Sequence, residues 1–237
     1  MSEDYRIKRF VTEIRYPPNY HLPRRLWDIP EKFPANRLGM NEFGVVGDVG
    51  DYSEYAAELN RSHYNVENLS DFDSVAKKAA DFFNFVVREY KTPTLNRLGV
   101  RLFVMAMADG AKSQADYARM LAPQINLEAV GSTDSTSAGF VVRQACGDWQ
   151  MRFGVFSSDE GVMRKYHKHH KEALFNAPSL VYDIDLFKEG LSTGSSAEKG
   201  FRPQEFDAAV HIKDAYNKVI DMTKRHFRSL GGVTSGV

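Results

Sequence analysis

The sequence has almost no cysteine, no excess of either charge and no long apolar run. Cys146 is the only cysteine, which excludes an internal disulfide framework and a cysteine-based metal site. The 31 basic side chains equal the 31 acidic ones, so no overall field attracts nucleic acid or an anionic membrane. No stretch approaches the roughly 20 apolar residues that span a bilayer, and the first residues are charged, unlike a signal peptide. These absences predict a soluble, cytoplasmic protein without membrane contact.

The residues that are present have an ordinary globular composition. Hydrophobic residues make up 43% of the chain and charged residues 26%, which favours a folded protein over a disordered one. A length of 237 residues is enough for one large domain or two small ones.

Periodicity predicts the main elements of the chain. Apolar residues at helical spacing predict long helices from Asp71 to Tyr90 and from Pro203 to Phe227, and a short one over Gln114–Leu121. Alternating residues predict strands at 10–16, 42–48, 95–107 and 180–187, and a hairpin of two strands at 139–145 and 149–156. Residues 51–68 give no clear signal.

These elements predict an α+β fold of two β-rich halves, each an antiparallel sheet packed against one long helix. The first half covers residues 1–108 and the second residues 139–230. A flexible connection, 109–138, joins them because it contains a polar Gly-Ser-Thr run. Residues 231–237 are expected to be a disordered tail.

Two arginines share one face of the 95–107 strand. Arg97 and Arg101 stand on either side of Gly99, with a period of two. They form either a clamp for a phosphate or carboxylate, or ion pairs with carboxylates such as Glu13 on a neighbouring strand. The ion pairs are favoured, since charge pairs between strands are common.

A pair of carboxylates lies on the 180–187 strand. Asp183 and Asp185 share one face, with Cα atoms about 7 Å apart. They are interpreted either as ligands of Mg²⁺ or a general acid and base, or as partners of arginines on the next strand. A metal-dependent hydrolase would bring them together with His211 or with a histidine of the 167–170 cluster. The structural interpretation is favoured, because no third acidic residue stands at motif spacing.

A local basic and aromatic patch is the candidate for phosphate or nucleic-acid binding. Its candidate residues are Arg24, Arg25, Arg97, Arg101, Arg164, Lys165, Lys168 and Lys171. The alternative for the 164–171 cluster is the solvated face of a helix, with its lysines in water.

Three short motifs carry a family resemblance. They are Glu13-Ile14-Arg15-Tyr16, Arg97-Leu98-Gly99-Val100-Arg101 and Tyr182-Asp183-Ile184-Asp185, and a last helix with His211 follows them. Their order and spacing resemble a sporadically distributed family of bacterial proteins without an assigned biochemical function. Leu102-Phe103 departs from the family, which tends to have Tyr-Ile-Asn there. The resemblance implies a repeated β-rich arrangement, no catalytic residues and, from the family's patchy distribution, an accessory role in conflict such as antiphage defence.

The sequence as a whole predicts a non-enzymatic interaction or accessory protein. It would act as a sensor or regulatory subunit of a bacterial defence-type system, with a protein partner and no cofactor. A nucleic-acid or nucleotide-binding protein is the alternative, and a metal-dependent hydrolase comes third. A homo-oligomer remains open.

Overall fold

One antiparallel sheet dominates the computed structural model, which describes residues 5–20, 22–50, 52–92, 94–125, 137–158, 178–192 and 206–231. The strands are β1 Tyr5–Arg15, β2 Arg37–Asn41, β3 Gly44–Gly50, β4 Ser53–Glu58, β5 Arg61–Leu69, β6 Thr94–Ala106, β7 Gly139–Cys146, β8 Trp149–Ser158 and β9 Ser179–Ser192. The helices in this part of the chain are α1 Asp28–Lys32, α2 Phe72–Glu89, α3 Gln114–Leu121 and α4 Ala208–Ser229.

The nine described strands are ordered β2-β3-β4-β5-β1-β6-β9-β8-β7, and each neighbouring pair is antiparallel. The predicted fold of two separate sheets, each on its own helix, is therefore wrong. β6 joins the two predicted halves into one sheet, because it is hydrogen-bonded to a strand on each of its two edges. Leu102 stands opposite Phe10 of β1 on one side and opposite Ile184 of β9 on the other.

The strand order repeats within this single sheet. β1 is followed along the chain by the meander β3-β4-β5 and α2, and β6 is followed by the meander β7-β8-β9 and α4. In the sheet, β5 lies beside β1 and β9 beside β6, and the two sets meet where β1 pairs with β6. β2 is an additional strand at one edge.

The main core lies between the sheet and its helices. Leu98, Val100, Leu102 and Val104 of β6 are completely buried on this side. α2 and α4 contact each other above it, with the rings of Phe72 and Tyr216 stacked at 3.5 Å between centroids. The opposite surface of the sheet, here called the far face, carries Arg97 and Arg101 of β6 and Asp183 and Asp185 of β9.

Local signals explain where the helices begin. Asp71 caps α2 by accepting a hydrogen bond from the backbone N–H of Ser74, which confirms the predicted helix. Ser113 and Asp116 form a capping box at the start of α3. The range of α3, Gln114–Leu121, is the predicted one. The last helix begins at Ala208 after the cap Asp207, and not at Pro203 as predicted.

β4 and β5 lie almost entirely in the range 51–68, for which no element is predicted from the sequence. Apart from Ala56, their side chains on the far face are polar, and two of them, Asn65 and Glu67, are nevertheless buried. A strand with polar residues on a buried face loses the apolar alternation on which recognition depends.

The division into halves at residues 109–138 stays a prediction. Within that range, α3 contacts β8 and β9, and Gln114 donates a hydrogen bond to the carbonyl of Ser157. Residues 126–136 and the tail from residue 232 lie outside the described residues. In the part of the chain that is described, no helix is both long enough and apolar enough to cross a bilayer.

Candidate functional site

Four of the residues singled out in the sequence meet on the far face. β6 and β9 are neighbours, and their register sets Arg101 opposite Asp185. Arg97 donates to Asp185 at 2.6 Å, and Arg101 donates to Asp183 through Nε and Nη2, both at 2.7 Å. We call these four residues, with Arg152 of β8, the far-face charge cluster.

Asp183 is the centre of this cluster. Only 6% of the residue is exposed, and its carboxylate also accepts a hydrogen bond from Arg152 at 3.2 Å. A buried carboxylate needs such donors, because leaving its charge unpaired away from water costs several kcal/mol. The bidentate contact of Arg101 fixes the geometry as well as the charge.

Gly99 lets Arg97 reach its partner. The Arg97 side chain runs along the strand, and a Cβ added at Gly99 would lie 3.1 Å from its Nε. The guanidinium carbon of Arg97 lies 4.1 Å from the centre of the Phe187 ring, which faces Gly99 across the strands. A side chain at position 99 would crowd the Arg97 guanidinium, so the glycine of the Arg-x-Gly-x-Arg spacing leaves room for it beside Phe187.

The contacts in the cluster distinguish between the two interpretations of these arginines and aspartates. Both aspartates are engaged by arginines, and Glu13 bonds to Arg15 rather than to Arg97 or Arg101. Ion pairing was the favoured interpretation, although Glu13 was the wrong partner. Arginines that neutralise the two carboxylates leave little charge in the cluster for a metal ion.

His211 lies on the other side of the sheet from Asp183 and Asp185. It is on α4, where its ring stacks on Phe206 and contacts the edge of Trp149. Burial, followed by the nearby Lys188, lowers the pKa of this histidine below its ordinary value. Among the described residues, no three histidine, cysteine or acidic side chains are close enough to hold a metal ion together.

The basic residues proposed for nucleic acid are not brought together in the described structure. Arg25 bonds to Asp28 and to Glu89 at the end of α2, on the helix side of the sheet, whereas Arg97 and Arg101 are on the far face. Arg24 is exposed. Arg164, Lys165, Lys168 and Lys171, with the histidines beside them, lie outside the described residues.

The sequence did not reveal a groove beside β7, on the helix side of the sheet. Its volume is about 440 Å³, and it is lined chiefly by apolar side chains. The lining includes Phe140, Val142, Met151, Phe153, Met222 and His226. We call it the β7 groove. The only signal in the sequence is the alternation Phe140, Val142, Gln144 within the predicted hairpin.

His226 is held at one wall of the β7 groove by two hydrogen bonds. The Tyr182 hydroxyl lies 3.0 Å from Nδ1, and Gln124 Oε1 lies 2.8 Å from Nε2. Both contacts are satisfied when Nε2 carries the proton and donates to Gln124, while Nδ1 accepts from Tyr182. Burial lowers the pKa of His226, so the neutral ring is favoured.

Among the described strands, β7 is the outermost one next to this groove. Val141 is 55% exposed and Val142 41%, and neither lysine nor proline occurs in the strand. The two-residue turn before β8 has Gly147 at φ 64° in its first position, as a type II′ hairpin requires. The N–H of Ser157 donates to the carbonyl of Ala138, so even-numbered residues bond to β8. The N–H groups of Val141 and Arg143 therefore point outward.

Comparisons with known proteins find no match: no family model, no curated protein and no solved structure matches the chain. The resemblance to the sporadically distributed bacterial family stays a prediction.

The contacts of Asp183 predict that its charge stabilises the sheet. Asp183→Asn keeps the shape but removes the charge that three N–H groups share. We expect the free energy of unfolding, measured in urea, to fall by about 1–3 kcal/mol. The loss is smaller than the full cost of a buried charge, because Arg101 and Arg152 are partly exposed. Asp221→Asn is the matched control, because its pair with Arg225 is on the surface and is worth less than about 1 kcal/mol. Equal stability of the two variants would contradict a structural role for Asp183.

The lowered pKa of His226 predicts a pH dependence of stability. The unfolded chain takes up a proton near the ordinary pKa of 6.5, above the pKa of the folded protein. Stability is therefore fully present above this pH and falls as the pH drops below it. When the pH falls from about 7.5 to about 5.5, we expect wild type to lose more stability than His226→Gln. The difference between the two losses should be less than about 1 kcal/mol, because the ring is partly solvated. His63 and His211 also have lowered pKa values, so the variant keeps some slope. Parallel pH profiles in thermal unfolding would refute the assignment.

Proposed function

We propose that this chain is a non-enzymatic interaction protein that binds an extended segment of a partner protein along β7. The observation that carries the proposal is the exposed apolar edge of β7, with two outward N–H groups beside an apolar groove. Edge strands offer unpaired backbone groups, and partner strands add to them by main-chain hydrogen bonds.

The two edges of the described sheet differ in how they are protected. β2 has five residues and begins with Arg37, whereas β7 has eight residues. Proteins usually shield a long edge with lysine, proline or a bulge, and β7 pairs with β8 in an unbroken register. An edge without such protection supports a role in binding.

The side chains around β7 indicate the chemistry of the partner. Even-numbered residues face the β7 groove, where apolar side chains of a partner strand would be buried. Odd-numbered residues are on the far face, where Arg143 stands directly opposite Arg152. Arg152 is paired with Asp183, whereas Arg143 has no ion pair among the described residues, so a carboxylate on the incoming strand beside Arg143 would be stabilising. The expected partner segment alternates apolar and acidic residues.

The biological setting is the less specific part of the proposal. A sensor or regulatory subunit of a bacterial defence-type system follows from the family resemblance alone, and the comparisons with known proteins add no support for it.

The proposal predicts that Val141→Pro weakens partner binding. Val141→Pro removes an outward N–H without removing a bond to β8, so the fold should persist. We expect wild type and Val141→Thr, which keeps the N–H, to co-purify from the native cells with a stoichiometric partner, and Val141→Pro to bind it about tenfold more weakly or worse.

Amide exchange in the purified complex maps the contact. The amides of Val141 and Arg143 should become protected on binding, while that of Val142, already bonded to β8, should not change. Full retention of the partner by Val141→Pro would overturn the proposal. A homodimer through β7 with no other protein would overturn it as well.

A second candidate function, binding of single-stranded nucleic acid, is favoured by exposed aromatic side chains in one segment, from Tyr20 to Trp27, here called the patch. Tyr20 is 76% exposed and Trp27 67% exposed, and the exposed Arg24 lies between them in sequence. Arg25 is held nearby against Tyr90, with 6.0 Å between guanidinium and ring centre. Exposed aromatic rings among cations are the usual platform on which bases stack.

This second function predicts quenching of Trp27 fluorescence. In a Trp149→Phe background Trp27 is the only tryptophan, so titration with an oligo(U) strand at low salt reports on the patch alone. We expect quenching that weakens steeply with salt and is reduced several-fold, about threefold or more, by Arg24→Glu. Arg228→Glu, an exposed position on α4, is the charge control and should have less effect. An unquenched signal at low salt would exclude this function for the patch.

A further inference from the structure

A second cavity lies at the opposite end of the sheet from β7. It has a volume of about 360 Å³ and is enclosed by β3, β4, β5, α2 and the segment that follows α1. This volume is near the lower limit of small-molecule sites, which are typically about 300–1,000 Å³ with apolar walls and a few polar groups. The lining residues that carry the argument are Lys32, Phe33, Tyr55, Tyr64, Lys78 and Asp81.

Aromatic rings form a fixed floor in this cavity. Phe33 contacts Phe82 edge to face at 5.4 Å between centroids, and the Tyr55 hydroxyl donates to the carbonyl of Phe33 at 2.8 Å. Gly47 allows Tyr55 to lie this close to the sheet, since a Cβ there would be 2.3 Å from the ring. Such a floor presents flat apolar surface to a flat ligand.

Tyr64 supplies a polar group without a partner. The residue lines the cavity and is only 4% exposed, yet its hydroxyl makes no hydrogen bond with the described residues. By contrast, the hydroxyls of Tyr16, Tyr55 and Tyr117 each have a partner. The hydroxyl oxygen is not sealed inside the protein, so it can donate a hydrogen bond to a molecule that enters the cavity. Burial also raises the pKa of Tyr64, which keeps the hydroxyl protonated as a donor.

The charged side chains at the rim of the cavity favour a ligand with a negative charge. Lys32 and Lys78 line the cavity and form no ion pair within the described chain, and Asp81 is the one acidic residue of the lining. The cavity rim is thus net positive, and lysine ammonium groups are effective partners of carboxylates and phosphates.

We propose that this cavity binds a small aromatic anion. Its ring lies on the floor of Phe33 and Tyr55, its carboxylate or phosphate meets Lys32 and Lys78, and the Tyr64 hydroxyl donates to it. This site is independent of the partner surface at β7, because it involves other strands and another helix.

The test uses benzoate and phenyl phosphate as probes with the full chain. Benzyl alcohol and benzylamine serve as the neutral and cationic counterparts of the same ring. Saturation-transfer NMR and calorimetry should show binding of at least one anion at about 10 mM or below, with the two anions distinguishing a carboxylate site from a phosphate site. Weaker binding is expected for benzyl alcohol and the weakest for benzylamine.

Three variants separate the parts of the site. Lys78→Gln should weaken anion binding by about fivefold and Tyr64→Phe by about tenfold, whereas Asp81→Asn should strengthen it. Lys77→Gln is the matched control, because Lys77 is the neighbouring exposed lysine of α2 and does not line this cavity. Thermal unfolding verifies that each variant is folded.

Two results would overturn the proposal. One is the absence of binding by both anions. The other is binding that benzylamine matches, or that Lys78→Gln and Tyr64→Phe leave unchanged.

Discussion

The pairing of β6 with β1 on one edge and β9 on the other is the constraint on which the structure depends. It joins two sets of strands into one sheet, and the helices that follow the two sets pack on the same face of it. α2 and α4 consequently contact each other, through the stacked rings of Phe72 and Tyr216 and through Asn84, which accepts a hydrogen bond from the N–H of Ala208. The same pairing leaves one continuous far face on which the arginines of β6 meet the aspartates of β9.

Local features of the fold could be predicted from the sequence, and long-range features could not. The apolar stripe of α2, the position of α3 and the turn at Gly147 depend on neighbours within a few residues. The pairing of Phe10 with Leu102 joins residues far apart in sequence, and no periodicity encodes it. The choice between two sheets and one therefore depended on information that a single sequence does not show.

The candidate sites follow the same division. Arg97 and Arg101 were correctly placed on one face, because strand alternation fixes their direction. Their partners depended on which strand is adjacent and in which register, which is why Glu13 was named instead of Asp183 and Asp185. The β7 groove and the cavity near Tyr64 combine residues from several distant elements, so neither could be recognised before the fold. The charges at the centre of the far face are paired with one another.

The distribution of charge at β7 also bears on whether a second copy of the chain could cover this edge. Only odd-numbered residues have outward N–H groups, so antiparallel self-pairing would match odd residues with odd residues. Each such register puts Arg143 of both copies on one surface of the extended sheet. Like charges at this spacing oppose association, whereas an acidic strand would neutralise them. The outward N–H groups of β7 could pair with any strand, including a second copy of β7. Arg143 disfavours the second copy and favours an acidic partner strand.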